Sequence, residues 1–418
     1  MSIPLTSSCS HLSGLETRSS MMDEATILFV REHREEDVKT LALKTKRDSG
    51  VDLPWALDQI QGWQTARRKL PSWAAIDGII YPPHLSMEQC SSEQTAIYKC
   101  STVKRLPQEC RETLIDLTGG FGVDFAFIAR EFEHATYVER QEHLCKAASH
   151  NFERLGLNNA TIINDEAEKV LDSLSAPPDS TLIYLDPARR DNNNARTYAI
   201  TDCTPNVIEL KDRLLNRAHH VLIKLSPMLD WHKAVNDLGS RVSAVHIVST
   251  NNECKELLIL MSADHEGEPS IYCVNDGQTI SFVPSDNEGN PEIAANDDEA
   301  AYLYEPNASI MKAGCFGILT HQYPVKALSA DSHLFISDRA VQDFPGRRFA
   351  VTTVTSMNKK ELSNALRGIT RANVATRNFP LTAQQLRNRL HLRDGGDCYI
   401  FGTTTAAGEH TLFICEKL

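Results

Sequence analysis

Four carboxylates, Asp116, Glu139, Asp165 and Asp186, close or directly follow short apolar runs, and Gly119, Gly120 and Gly122 lie just past the first of them. An apolar run that ends in an acid, turns through glycines and enters a helix-patterned stretch, Phe125 to Phe132, brings a nucleotide-like ligand against bare backbone and a helix N-terminus. Glycine serves there because a Cβ would hold the ligand away and because such turns use positive φ. The same pattern also fits an ordinary tight strand-to-helix turn. Read as the dinucleotide fingerprint G-x-G-x-x-G the turn fails, since Phe125 stands where the third glycine belongs.

Asp116 ends its strand where it would face a ligand carrying a positive amino group. That suits S-adenosylmethionine (SAM) better than a pyrophosphate. Glu139 closes the next apolar run, 23 residues on, where an ionised acceptor can take both hydroxyls of a ribose. Asp165 follows the third run and either accepts from an adenine amine or caps the helix that begins there. The fourth run ends in Asp186-Pro187-Ala188-Arg189-Arg190. Methylating an exocyclic amine requires acceptors for its protons, so that the nitrogen lone pair turns toward the methyl donor. The Asp186 carboxylate and the carbonyl of a kinked backbone at Pro187 supply two. Arg189 can stack its guanidinium on a base or bind phosphate. Transfer of a methyl group is an in-line displacement in which alignment and desolvation carry most of the catalysis. The fifth run leads into Lys224-Leu-Ser-Pro227, with Ser226 where a covalent C5 mechanism would need cysteine.

These residues require a scaffold that delivers successive strand ends to one side. Apolar runs at 113–116, 135–139, 160–163, 181–185, 219–225, 242–249 and 256–261 alternate, over the first several, with helical patterns at 125–132, 143–155, 165–174, 207–216 and 231–238. That spacing predicts an α/β, doubly wound and mostly parallel sheet, whose ligands lie beyond the C-terminal strand ends. Residues 23–75 read as helices, with Trp55, Trp63 and Trp73 as core. Asn275-Asp-Gly277 suggests a hairpin between 270–274 and 279–283 within a small separate α+β segment, and 307–314 a short helix. The last hundred residues read as a basic α+β module with a terminal hairpin across Ala407-Gly408.

The 418 residues exceed one core and predict two to four domains. No apolar run reaches membrane-spanning length, and residues 1–22 are polar and serine-rich, a flexible tail without a signal peptide's apolar stretch. Eleven scattered cysteines form no CxxC pair and no Cys/His cluster at zinc spacing, which reads as reduced cytoplasmic thiols and no metal. The net charge of −12 excludes a uniformly nucleic-acid-coated surface but is uneven. Residues 264–311 hold eleven Asp/Glu and no Lys/Arg; residues 338–418 hold twelve Lys/Arg against seven Asp/Glu. A local basic face is enough to steer a polyanion, and equally describes solvated charge without a partner.

Asp116 followed by the glycine-rich turn resembles the first motif of class I SAM-dependent methyltransferases, and Asp186-Pro187 the D/N-P-P-Y/F signature of amino-group methyltransferases, with Arg189 where an aromatic usually stacks. Taken together, Met87–Ala96, Asp116–Asp124, Val138-Glu-Arg140, Asp186–Arg190 and Asp394-Gly-Gly-Asp397 resemble the bacterial THUMP-like domain class I methyltransferases over most of the chain. The glycine-turn region alone is similar to small-subunit ribosomal RNA guanine-N2 methyltransferases. The resemblance implies a helical N-terminal domain (23–100), a Rossmann-like methyltransferase domain (101–263), a small ferredoxin-like segment (264–312) and a THUMP-like C-terminal domain (313–418). It implies SAM held by Asp116, Thr118, Gly119, Gly120, Gly122, Glu139 and Asp165. The leading reading of the residues adds an RNA partner, rRNA or tRNA, whose phosphate backbone docks on the basic C-terminal module through Arg371, Arg377, Arg387 and Arg389. The alternatives are a protein or small-molecule substrate, and a non-catalytic RNA-binding protein that keeps a SAM pocket.

Overall fold

The computed structural model describes residues 23–45, 50–189, 200–287, 289–296 and 300–418. The expected tail 1–22, Arg190 and the side chain of Arg189 lie outside the described residues. In chain order the strands are β1 (Thr113–Asp116), β2 (His134–Val138), β3 (Ala160–Ile163), β4 (Thr181–Leu185), β5 (Ala188–Arg189), β6 (Cys203–Thr204), β7 (His220–Leu225), β8 (Val242–Thr250), β9 (Glu253–Ser262), β10 (Ser270–Asn275) and β11 (Gln278–Phe282). The C-terminal part adds β12 (Tyr302–Pro306), β13 (Lys326–Ala327), β14 (Phe335–Ser337), β15 (Gly346–Ser356), β16 (Asn373–Arg377), β17 (Cys398–Thr404) and β18 (His410–Lys417). The chain forms two compact units, one of residues up to Lys104 with Gly119–Glu166, the other of Arg105–Thr118 with Ala167–Leu418. The segment 101–263 is therefore shared between them, and the division passes between Thr118 and Gly119.

The first unit begins with helices Glu24–His33, Val38–Lys44 and Leu53–Lys69. Asp23, Asp37 and Asp52 stand at their N-caps and accept backbone N–H groups that the first turn leaves unpaired. Trp73 is a core residue, as expected, and packs its ring edge-on against Phe121 with centroids 5.0 Å apart. β2 and β3 run parallel, joined through helix Glu142–Arg154. The fully buried Asn151 on that helix exchanges two hydrogen bonds of 2.8 Å with the backbone of Ile80. That exchange fastens the crossover helix to the N-terminal segment.

In the second unit the strands of one sheet follow the order β11-β10-β8-β9-β7-β4-β1. β1, β4 and β7 are mutually parallel, as the α/β alternation requires. β9 runs antiparallel to both β7 and β8. The reason is local: Asn251 and Asn252 both adopt positive φ, 51° and 59°, the two-residue turn whose twist matches a tight hairpin. The hairpin placed by sequence within a separate segment 264–312 instead extends this sheet. β10 pairs parallel with β8, and β11 folds back on β10. Ile271, Cys273, Val274, Ile280 and Phe282 are buried, so the apolar face of the hairpin requires this placement.

The C-terminal sheet has the order β13-β14-β12-β15-β18-β17-β16. Leu303, Phe349, Phe401 and Phe413 anchor one core cluster; Ala372, Leu386, Ile400 and Leu412 form another beneath helix Ala383–Arg389. Thr382 and Gln385 start that helix with a reciprocal capping box. Glu305, only 3% exposed at its side chain, takes both Arg347 and Arg377 on its carboxylate. That removes the cost of an isolated buried charge and ties β12, β15 and β16 together.

Candidate active site

In the first unit, the glycine turn is built against the ring of Tyr137. Gly119 donates to the Val138 carbonyl at 2.8 Å, and Gly122 closes the turn on Gly119 at 2.8 Å. Gly120 and Gly122 have φ of 55° and 83°, and Gly122 caps helix Val123–Ile128 in the left-handed region. A Cβ on Gly119 would stand 2.1 Å from the Tyr137 ring, so backbone and ring approach too closely for any side chain. The Tyr137 hydroxyl donates to the carbonyl of Gly120. Phe121 reaches the other way, onto Trp73 and Tyr81. Helix Glu93–Lys104 and the residues before it add a second brace. Lys99 and Asp124 form a buried ion pair at 3.2 Å, and Ser91 donates to the same carboxylate at 2.7 Å. Residues of the 87–96 motif thus support the helix that leaves the turn.

Glu139 is buried, and its two oxygens are oriented separately. Oε2 accepts the Gly120 N–H at 2.9 Å, and Oε1 accepts the Gln141 N–H at 2.9 Å. A carboxylate offers about four lone-pair sites; Oε1 also accepts the Gln141 side-chain amide at 3.3 Å, so a site remains on Oε2 for a ribose hydroxyl, and a second opens on Oε1 where that long contact gives way. Asn164 donates to the Glu139 carbonyl at 2.8 Å and fixes the strand end. Half-buried Asp165 accepts from the Glu166 N–H at 2.8 Å, before the helix starts at Ala167.

In the second unit, a connected set of hydrogen bonds joins the ends of β1, β4 and β7. Asp116 is buried, and its Oδ1 accepts the Thr118 N–H at 2.9 Å and, longer, the Thr118 hydroxyl at 3.4 Å. The Thr118 Oγ1 in turn accepts the Asp186 N–H at 2.6 Å. Asp186 Oδ2 is 2.6 Å from Nζ of Lys224, whose side chain is 13% exposed against 38% for Asp186. Lys224 therefore sets the direction of the Asp186 carboxylate while leaving it open to solvent. Sequence reading did not single out Lys224; the signal was its position at the end of the fifth apolar run. Pro187 is buried, and Arg189 pairs its backbone with Cys203 in the β5–β6 ribbon. Ser226 accepts the Met228 N–H at 3.3 Å in the turn after β7.

The four arginines expected to meet RNA divide into two kinds. Arg371 and Arg389 are exposed, with Arg371 also donating to the Asp394 carbonyl at 3.2 Å. Arg377 is bound to Glu305 at 2.7 Å, and Arg387 to Asp394 and Gln384. Those two ion pairs serve the module's own packing.

Both parts fit SAM by the chemistry of their donors. A buried, oriented Asp116 carboxylate suits a cationic amino group, bare backbone at Gly119–Gly122 suits a close-lying ligand, and Glu139 Oε2 retains a site for a ribose hydroxyl. Among groups of three or more metal-ligating side chains in the described residues, one stands out, formed by Cys110, His219 and His220.

Residues 346–417 match the family model described as THUMP domain-like, 302–345 the ferredoxin-like domain, and 102–209 Conserved hypothetical protein 95. The ferredoxin-like match thus begins at β12, beyond most of the segment to which sequence assigned it. The chain is similar to a Porphyromonas gingivalis W83 protein whose assignment as a methyltransferase is provisional, at 30% identity and a TM-score of 0.82, over 95% of this chain and 99% of that one. An rRNA methylase of Streptococcus thermophilus aligns at 16% identity and a TM-score of 0.30, over 40% of this chain and 93% of that one. A Bacillus cereus O-methyltransferase in complex with SAH aligns at 16% identity and a TM-score of 0.33, over 50% and 98%. Neither of these two distant alignments bears on function. No curated protein matches the chain.

Proposed function

The chain belongs to the THUMP-like domain class I SAM-dependent methyltransferases, and from that premise we propose that it methylates an exocyclic amino group of an RNA base by direct in-line transfer. SAM supplies an activated methyl group on a sulfonium. Asp116 and Thr118 take its amino-acid end, the backbone at Gly119, Gly120 and Gly122 its middle, and Glu139 and Asp165 its nucleoside. Asp186 and the Pro187 carbonyl accept the two N–H groups of the acceptor amine, which turns its lone pair toward the donor. Arg189 meets the base or its phosphate. Lys224 positions Asp186. Arg371 and Arg389 dock phosphate backbone, with Arg377 and Arg387 shaping that surface. In this reading residues 23–100 brace the turn, 101–263 carry the transfer chemistry in the cytoplasm, and the THUMP-like part presents RNA.

The observation that carries the proposal is the oriented, half-exposed Asp186 carboxylate at the end of β4, fixed by Thr118 on its backbone and by Lys224 on its side chain. A carboxylate with that support and that exposure is suited to accepting protons from a bound amine without itself attacking carbon. The test is a comparison of modified nucleosides from parent and deletion strains, with labelled methyl incorporation by the purified protein into RNA from the deletion strain. A methylated amino nucleoside missing from the deletion strain and restored in vitro is expected. Label entering protein or small molecules alone would overturn the RNA assignment, and no transfer at all would favour a binding protein.

A further inference from the structure

The edge of the sheet that carries the starts of β1 and β7 brings together side chains remote in sequence. Cys110 ends a short 3-10 helix ahead of β1; His220 opens β7 and His219 immediately precedes it. One ligand atom from each of the three lies within 4.8 Å of the others. The His219 and His220 rings meet at 81° with centroids 4.6 Å apart. Asp264 Oδ2 lies 3.8 Å from His219 Nε2.

A hydrogen-bond relay fixes which nitrogen of His220 carries the proton. Ser243 spends its one hydroxyl proton on the Leu260 carbonyl at 3.1 Å. Its 2.9 Å contact with Ser262 must then be donated by Ser262. Ser262 has no proton left for its 2.9 Å contact with His220 Nδ1, so Nδ1–H is the donor there. Nε2 is left as a bare lone pair. It is buried and has no hydrogen-bond partner, on a side chain 6% exposed. An unsatisfied buried acceptor of this kind is destabilising unless something takes the lone pair. A metal-ligating histidine donates its far ring N–H to a fixed outer-shell acceptor, the part the Ser262 hydroxyl takes here.

We propose that Cys110, His219 and His220, with Asp264 as fourth ligand, form a structural zinc(II) site at the sheet edge opposite the ends of β1 and β4. One thiolate, two imidazoles and a carboxylate make a closed tetrahedral set of the kind zinc prefers. Ligand atoms around zinc stand about 3.4 Å apart for bonds near 2.1 Å, so the 3.8 Å His219–Asp264 spacing already fits. Among Cys110, His219 and His220 the widest separation, within 4.8 Å, closes by about an ångström through side-chain rotation, while the exposed Asp264 carboxylate, outside that group, has further to swing in. On binding, the Cys110 thiol loses its proton to solvent and the S–Zn bond forms, with no oxidant or reductant involved. The ion would clamp the lead-in to β1 onto β7 and the β9 end, holding the strands whose far ends carry Asp116 and Lys224.

The test uses the full chain without a histidine tag, stripped with chelator and titrated with cobalt(II) and then zinc(II). Expected is one equivalent of cobalt giving tetrahedral d–d bands and a thiolate charge-transfer band, both removed by zinc, with a rise in the melting temperature. Cys110→Ser should abolish the charge-transfer band, and the partly exposed His219→Ala should weaken zinc at least tenfold while leaving SAM calorimetry unchanged. The proposal is overturned if one equivalent of cobalt gives no such bands, or if the charge-transfer band survives in Cys110→Ser. If Cys110→Ser does not fold, His219→Ala decides: unchanged zinc affinity there refutes the site.

Discussion

Gly119→Ala tests how the turn is held. The new Cβ would stand 2.1 Å from Cε2 and 2.4 Å from Cζ of Tyr137, where carbon atoms in contact keep about 3.5–4 Å. The ring cannot yield. It is fully buried, with Phe125 and Phe152 at centroid distances of 5.5 and 5.3 Å, and its hydroxyl is bonded to Gly120. The backbone must lift instead, by roughly 1.5 Å. That breaks the Tyr137–Gly120 bond and the Gly120 N–H on Glu139. Overpacking costs about 1–3 kcal/mol, a neutral hydrogen bond about 1, and one to a charged acceptor about 1.5–3. The displacement falls on the backbone and carboxylate assigned to SAM. Calorimetry should therefore show affinity lowered at least a hundredfold, about 2.8 kcal/mol, with earlier thermal unfolding. Tyr137→Ala removes the obstacle, so in a double-mutant cycle the two changes should couple by more than about 1 kcal/mol. Unchanged SAM heat in Gly119→Ala, or no coupling in the cycle, would refute the reasoning.

The remaining tests address the other half of the site and the supports around it. Asp186→Asn keeps the size of the group and removes its charge; SAM affinity should stay within about threefold while labelled-methyl transfer falls at least a hundredfold, about 2.8 kcal/mol. Lys224→Met releases that carboxylate, and a loss of turnover larger than any change in KM for SAM is expected from steady-state kinetics. Glu305→Gln leaves two half-buried guanidinium groups short of their partner, and should lower stability in urea by about 2–4 kcal/mol while raising the salt-sensitivity of RNA binding. Burial holds His246 down to about 3 and, with neighbouring His219, His220 down to about 4. Between pH 6.5 and 4 the unfolded chain therefore binds protons that the folded metal-free chain refuses, so stability falls with falling pH by up to about 1.4 kcal/mol per unit for each site. His246→Phe, which keeps a ring beside Tyr272, should flatten that slope in denaturant titrations; an unchanged slope would exclude His246 as a source.

Much of this protein was written locally. β1, β3, β4 and helix Trp231–Leu238 have the bounds their apolar periodicity predicts, because a strand or helix with one buried face must repeat every two or every 3.6 residues. The acids at the ends of these strands, and the positive φ at Gly120 and Gly122, follow from the same stretch of chain. Periodicity says which face is buried but not against what. The pairing of β9 with β7, the docking of β10 on β8 and the bond from Lys224 to Asp186 each depend on partners tens of residues away. Arg377 looked like a free phosphate contact until β12 brought Glu305 beneath it, 72 residues distant. Cys110 and the His219–His220 pair are more than a hundred residues apart and have no zinc spacing in the chain. Only the parallel course of β1, β4 and β7 sets their starts on one edge, because side-chain encounter is decided by strand order and register, which no local pattern encodes.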